Sequence, residues 1–127
     1  MKLEIVRLTN EERAKAGLHA LEILPELMVS AQFKADDMRA NKYYGHDSPE
    51  YGTASEMMFS FVPDAGCVAE NIAPWSKTAG ETFEAWMNST KGHRENILYE
   101  SFTHIGVGIL EGANGGYWWV QHFAALG

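Results

Sequence analysis

The last quarter of the chain changes its hydrophobic period, and that change limits what the whole chain can fold into. His104-Ile105-Gly106-Val107-Gly108-Ile109-Leu110 is β-branched and punctuated by glycine. Tyr117-Trp118-Trp119-Val120-Gln121-His122-Phe123 returns as a second strand-like run. Between them, residues 112–116 hold Ala-Asn-Gly between glycines, a hairpin signal. Upstream the spacing is helical. Leu24, Leu27, Met28, Ala31, Ala35 and Met38 recur at intervals of three and four, which predicts an amphipathic helix reaching about Asn41. Pro25 sits where a first helical turn tolerates proline.

The remaining segments fill in the order. Residues 2–15 carry Leu3, Val6 and Leu8 among charged residues and close at Gly17, a good helix C-terminal residue. Residues 42–51 are rich in Gly, Pro, Asp, Ser and Tyr and read as a loop. Residues 54–61 suit a short helix, and Pro63-Asp64-Ala65-Gly66 turns the chain. Residues 67–73 read as a short strand that Pro74 ends. Thr78, with Glu81 three residues on, predicts a capping box for a helix running to about Asn88, with Phe83, Trp86 and Met87 as its buried stripe. A helical front, a middle strand, another helix and a terminal hairpin give an α+β fold. The expected form is a three-layer α-β-α sandwich with a small, mainly antiparallel central sheet, residues 1–127 making a single domain.

A hydrophobic fraction of 46% and an aromatic fraction of 12% are enough for a real core. The net charge is −7 and the Lys and Arg residues are scattered, which argues against nucleic acid or an anionic membrane as the main partner. No window approaches a membrane span of roughly 20 residues, and residues 1–10 hold no apolar run of signal-peptide length. Cys67 is the only cysteine, so no intrachain disulfide forms; it reads as a small apolar filler beside a strand. In a period-two strand, Trp118 and Val120 share one face and Tyr117 and Trp119 the other. Core packing between helices is preferred there to an aromatic platform for sugar or lipid. Met57, Met58, Phe59 and Phe61 form an apolar group that either packs in the core or lines an adaptable groove.

The chemistry-bearing candidates are His46, Glu70, Ser89, His93, His104 and Glu84. Neutral imidazoles with a carboxylate suit Zn²⁺ or another divalent cation, and the same groups suit general acid–base work. Their separations of more than twenty residues decide between neither. His104 and His122 read as a strand-edge residue and an ordinary strand residue. Asn10 and Arg13 are expected to tie the first helix to neighbouring backbone.

Taken in series, these segments resemble the CAP superfamily of cysteine-rich secretory proteins, venom antigen 5 and plant pathogenesis-related proteins, in its bacterial SCP-like form. The resemblance rests on Asn10-Glu11-Glu12-Arg13, on Leu27 with Ala31 and Ala35, and on His46-Asp47-Ser48-Pro49. It continues through Glu70-Asn71-Ile72-Ala73, Trp86-Met87-Asn88-Ser89 and Gly92-His93-Arg94-Glu95-Asn96-Ile97-Leu98. Phe102-Thr103-His104-Ile105-Gly106-Val107-Gly108 and Tyr117-Trp118-Trp119-Val120-Gln121 complete it. The family's cleft holds two histidines and two acidic residues, which in some members bind Zn²⁺ or another divalent ion. The resemblance places His46, Glu70 and His93 in that cleft, with Ser89 standing where animal and plant members keep a glutamate. It implies metal ligation by His46, Glu70 and His93, weakened by the serine.

Three functions compete at this stage. The first is an exported or cell-envelope-associated binding module whose cleft takes a small molecule, a lipid, an envelope component or a cation. It is favoured because no complete nucleophile–base–orienter set is present. The second is a hydrolase using Glu70 and His93 on water. The third is a non-catalytic structural domain of the cell envelope or spore, in which the charged residues only brace loops.

Overall fold

The computed structural model of the chain describes residues 1–112 and 115–127. In chain order the elements are α1 (Lys2–Lys15), β1 (Glu22–Ile23), α2 (Pro25–Ala40), α3 (Ala54–Phe61), β2 (Cys67–Ser76), α4 (Ala79–Met87), α5 (His93–Ile97), β3 (His104–Glu111) and β4 (Tyr117–Ala125). The strands form one sheet in the order β1-β3-β4-β2. β3 pairs antiparallel with β4, and β4 with β2, while the two-residue β1 adds a parallel edge. The expected α-β-α sandwich is present, and its sheet is mixed because of β1. The Ala113–Asn114 tip of the expected hairpin turn lies outside the described residues.

Strand alternation sorts the core into two layers. From β3 and β4, Ile105, Val107, Trp119 and Phe123 face α1, α4 and α5, where they meet Ile5, Val6, Phe83, Trp86 and Ile97. Val120 and Ala124 face the other way, onto Ala31, Ala35 and Met38 of α2 and onto Leu27, Met58 and Val62. Each fully buried Leu, Ile or Phe side chain contributes on the order of 1.5–3 kcal/mol. α2 lies unusually close to β3. A Cβ on Gly106 would sit 2.1 Å from the backbone of Leu27, and one on Gly108 would sit 2.4 Å from that of Ala31. Glycine at alternate positions of one strand face therefore gives the helix backbone its seat.

Several local expectations shift. In α1 the buried residues are Ile5, Val6, Thr9 and Arg13, and Leu3 is 66% exposed. β2 does not end at Pro74; it runs to Ser76 through a bulge between Ala73 and Ser76. β2 is an edge strand, where a missing proline N–H removes no ladder bond. The full capping box lies at Thr53–Glu56, at the start of α3. At α4, Thr78 Oγ1 accepts from the Glu81 backbone N–H but spends its own hydrogen on the Glu81 carboxylate, so the reciprocal half is missing. Trp119 is core, whereas Trp118 is only partly buried. Met57 and Met58 are buried, and Cys67 packs against the core as a partly buried filler.

Candidate functional site: a histidine cleft at the edge of the sheet

α2 builds one wall of the site. Its apolar stripe carries two polar intruders, Ser30 and Lys34, both fully buried. Their spacing from Leu27, Ala31, Ala35 and Met38 points them at the sheet with the apolar residues. A buried lysine needs partners, and Lys34 finds them in the loop that follows the helix. Its Nζ donates to the His46 carbonyl oxygen (2.6 Å) and to Tyr43 Oη (3.1 Å), and it stands 3.9 Å from Glu70 Oε1. Burial lowers the Lys34 pKa, and Glu70, Asp37 and Asp47 oppose that shift. Asp37, one turn on, accepts from Tyr43 Oη, Ser48 Oγ (2.7 Å) and Asn41 Nδ2 (2.5 Å). Burial alone would raise this carboxyl, but the three hydrogen bonds hold it below its ordinary range. The loop carrying His46 is thus fastened to α2 by an ammonium and a carboxylate.

Glu70 is the centre of the site. It lies on β2 directly opposite His122 of β4, and its side chain is 1% exposed. One carboxylate oxygen accepts from His122 Nε2 at 2.7 Å, the other from His46 Nδ1 at 3.0 Å. Burial pushes the Glu70 pKa up, but the hydrogen bonds of His122 and His46 and the charges of His122 and Lys34 win and hold it at about 2. Ser30 Oγ completes the chain, 2.7 Å from His122 Nδ1 and 3.2 Å from the Leu27 carbonyl. His122 is therefore no ordinary strand residue. It is fully buried on the Val120–Ala124 face of β4, a position where apolar neighbours should have flagged a paired polar group.

The opposite wall comes from the break between α4 and α5. Gly92 takes φ +101°, a left-handed conformation that glycine adopts freely, and redirects the chain into α5. His93 Nδ1 lies 2.9 Å from Ser89 Oγ, which accepts from the Lys91 backbone N–H at 3.0 Å. The serine hydrogen is then free to donate to the imidazole. Burial, followed by the charges of His46 and Lys91, lowers the His93 pKa and so favours the neutral ring. Below it, Asn71 Nδ2 donates to the His93 carbonyl (3.1 Å) and to Gln121 Oε1 (3.0 Å), and Asn96 Nδ2 donates to Asn71 Oδ1 (2.9 Å). Gln121 passes the chain on to Thr9 of α1 at 2.8 Å. Trp86 Nε1 closes the exposed edge of β2 by donating to the Ile72 carbonyl at 3.0 Å.

Of the four residues named from sequence, His46 and Glu70 touch, as do Ser89 and His93, and only the second pair lines the cleft beside β2. Beside His93 opens a cleft of about 390 Å³ floored by Ile72, Ala73 and Trp86 and rimmed by Tyr44, Ser89 and Lys91. Glu84 is exposed on α4 and takes no part. His104 lies against Thr103 (2.7 Å) and Glu22 (3.4 Å), away from the site. Asn10 pairs with the Leu21 backbone, and Arg13 with the carbonyls of His19, Ile97 and Tyr99.

The expected metal set fits poorly. Each Glu70 oxygen accepts from an imidazole N–H, so His46 Nδ1 and His122 Nε2 are spent on the carboxylate and are not ligands for a cation there. Among the described residues no group of three or more His, Cys, Asp or Glu side chains is placed to hold a metal ion. Two imidazole nitrogens are fewer than the three or four protein ligands of zinc sites.

A small mixed sheet sandwiched between α2 and the α1/α4/α5 layer, with paired histidines at its open edge, defines a three-layer α-β-α cleft domain. The chain belongs to the cysteine-rich secretory protein family (CAP), whose model matches residues 6–123. The uncharacterized Bacillus subtilis protein YkwD is 48% identical over 120 residues, covering 94% of this chain and 45% of that protein. An extracellular protein containing a SCP domain from Bacillus anthracis superposes with a TM-score of 0.87 at 31% identity, covering 97% of this chain and 39% of that one. An outer surface protein from Borrelia burgdorferi shares the fold, with a TM-score of 0.85 at 21% identity over 97% of this chain and 90% of its own. The chain spans less than half the length of the two Bacillus proteins. Among the described residues no helix is long and apolar enough to cross a membrane.

Proposed function

We propose that this domain is an extracellular binding module that takes a small amphiphilic molecule into the cleft beside His93. The apolar part of the ligand rests on Ile72, Ala73 and Trp86, and its polar head meets His93, Lys91 and Tyr44. The observation that carries this reading is the engagement of Glu70 by two histidines. A carboxylate with both oxygens committed to histidines, and a pKa near 2, is a weak base toward water and an anchor for His46. The Ser30–His122–Glu70 chain has the order of a nucleophile, base and orienter, but Ser30 and His122 are both fully buried, so no substrate reaches the hydroxyl. Export is supported by the extracellular Bacillus anthracis relative.

Native mass spectrometry of the protein carried with its bound small molecules tests the reading against the His46→Ala/His93→Ala double variant. The wild type is expected to release a ligand that the equally folded double variant lacks. Identical spectra for the two proteins would sink the proposal, as would a stoichiometric Zn²⁺ ion in the wild type.

A further inference from the structure

Ser89 stands one residue past the C-cap of α4, and its hydroxyl decides what His93 offers to the cleft. Ser89 Oγ accepts from the Lys91 backbone N–H at 3.0 Å, a local turn that serine favours, and lies 2.9 Å from His93 Nδ1. Among the described residues it has no third partner. The hydroxyl has one hydrogen to give. If Nδ1 carried the ring proton, Ser89 Oγ would face two donors and its own hydrogen would have no protein acceptor. If Nδ1 is bare, the hydrogen goes to the ring and every group in the turn is matched. A neutral imidazole then keeps its proton on Nε2, and burial favours the neutral ring.

The ligand-facing atoms are within reach. His93 Nε2 has no hydrogen-bond partner among the described residues and is not one of the buried orphaned atoms, so it stands open in the cleft that His93 lines. Lys91 is exposed on the same rim and brings an ammonium. Tyr44 is half-exposed, and partial burial with the Glu70 charge keeps its phenol protonated. No Asp or Glu lines this cleft, in a chain whose net charge is −7. The polar rim is therefore rich in donors and carries a positive charge, above a floor of Ile72, Ala73 and Trp86.

We propose that Ser89 locks His93 as an N–H donor and so makes this cleft select an anionic head group, a carboxylate or a phosphate, over a cation. The inference rests on the cleft reading above and names the chemistry of the head. A carboxylate or phosphate oxygen accepts from Nε2–H and pairs with Lys91, and such charge-assisted bonds are roughly twice as strong as neutral ones. An ammonium head faces Lys91 and finds no lone pair on the ring. A metal ion meets the same obstacle. A metal-ligating imidazole donates its second N–H to a carboxylate or carbonyl and turns a lone pair to the ion, whereas beside Ser89 that order is reversed. Ser89 is thus a positioning residue that acts through His93.

Long-range ¹H–¹⁵N spectra of the ligand-free protein at about pH 8, above the ordinary imidazole pKa of about 6.5, read the tautomer directly. His93, assigned among the five histidines by its missing signals in His93→Ala, is expected to show a bare Nδ1 and a protonated Nε2. Ser89→Thr keeps the hydroxyl and should keep the pattern. Ser89→Asp should reverse it, because a carboxylate only accepts. Calorimetric titration with octanoate, octyl phosphate and octylammonium then reads the selection and separates the two anions. The wild type and Ser89→Thr are expected to bind the better anion about tenfold more tightly than octylammonium, and Ser89→Asp to lose that preference. A protonated Nδ1 in the wild type overturns the proposal, as does failure of both anions to bind more tightly than octylammonium. The tautomer is read without ligand, so a wrong tautomer stays distinct from failure of the cleft reading, which shows as no ligand released from the wild type.

Discussion

Glu70 shows how much a single side chain depends on its surroundings here. Its carboxyl keeps its charge at 1% exposure only because His122, His46 and Lys34 surround it. The folded pKa, about 2, lies below the ordinary value of 4.5. The linkage therefore stabilises the fold above pH 4.5 and fades as the pH falls from there toward 2. Glu70→Gln is expected to destabilise the protein by about 3 kcal/mol at pH 7, and the gap should narrow as the pH falls through that window. Urea unfolding at about pH 7, 4 and 2.5 checks it; a gap independent of pH would show that the ion pairs contribute nothing. Glu70 was singled out in the sequence as a cleft residue, but its partners were not. His122 is 52 residues away in sequence, and only strand register sets it opposite Glu70. Ser30 and Lys34 left a trace that could have been read. Polar residues inside an otherwise apolar helical stripe must be paired, though the stripe cannot say with what.

Among the elements, the α2–β3 contact is the tightest. Helical and strand periods in the sequence located both elements, and the glycines at 106 and 108 marked the strand. The closeness of the helix was not visible, because a glycine in a strand is equally consistent with a bulge or a weak strand. Gly108→Ala places a methyl 2.4 Å from the Ala31 backbone, where neither element can yield easily. Overpacking of this kind costs about 1–3 kcal/mol. Thermal unfolding should show a Tm lower by roughly 5–15 °C. Gly45→Ala, with open space around its Cβ, should leave Tm unchanged. Equal Tm values for both variants would mean that α2 can lift off the sheet. β2 teaches a related lesson. Its proline stops a strand only where the missing N–H faces a partner, and strand order, not sequence, makes β2 an edge.

Across the whole molecule, polar ties hold the layers in register where apolar packing alone would let them slide. Arg13 is fully buried in α1 and binds the backbone at His19 and at the end of α5 through Ile97 and Tyr99. Burial lowers its pKa, yet a guanidinium remains charged, so its carbonyl partners matter. Arg13→Ala leaves three carbonyls without their donor and is expected to cost about 3 kcal/mol in denaturant unfolding with an unchanged m-value. A loss below about 0.5 kcal/mol would assign the α1–α5 alignment to packing instead.

By itself the sequence determined the layers: two hydrophobic periods and a late hairpin were enough for an α-β-α sandwich, while the succession of motifs singled out His46, Glu70, Ser89 and His93 through the family resemblance. Those features are local or are carried by order along the chain. Only the tertiary structure decided that Glu70 is held between His46 and His122, and that Trp75 stands half-exposed edge-on to a partly buried Trp118. Both outcomes depend on which atoms from distant segments share a few ångströms, and on what burial then demands of them, which no spacing in one dimension encodes.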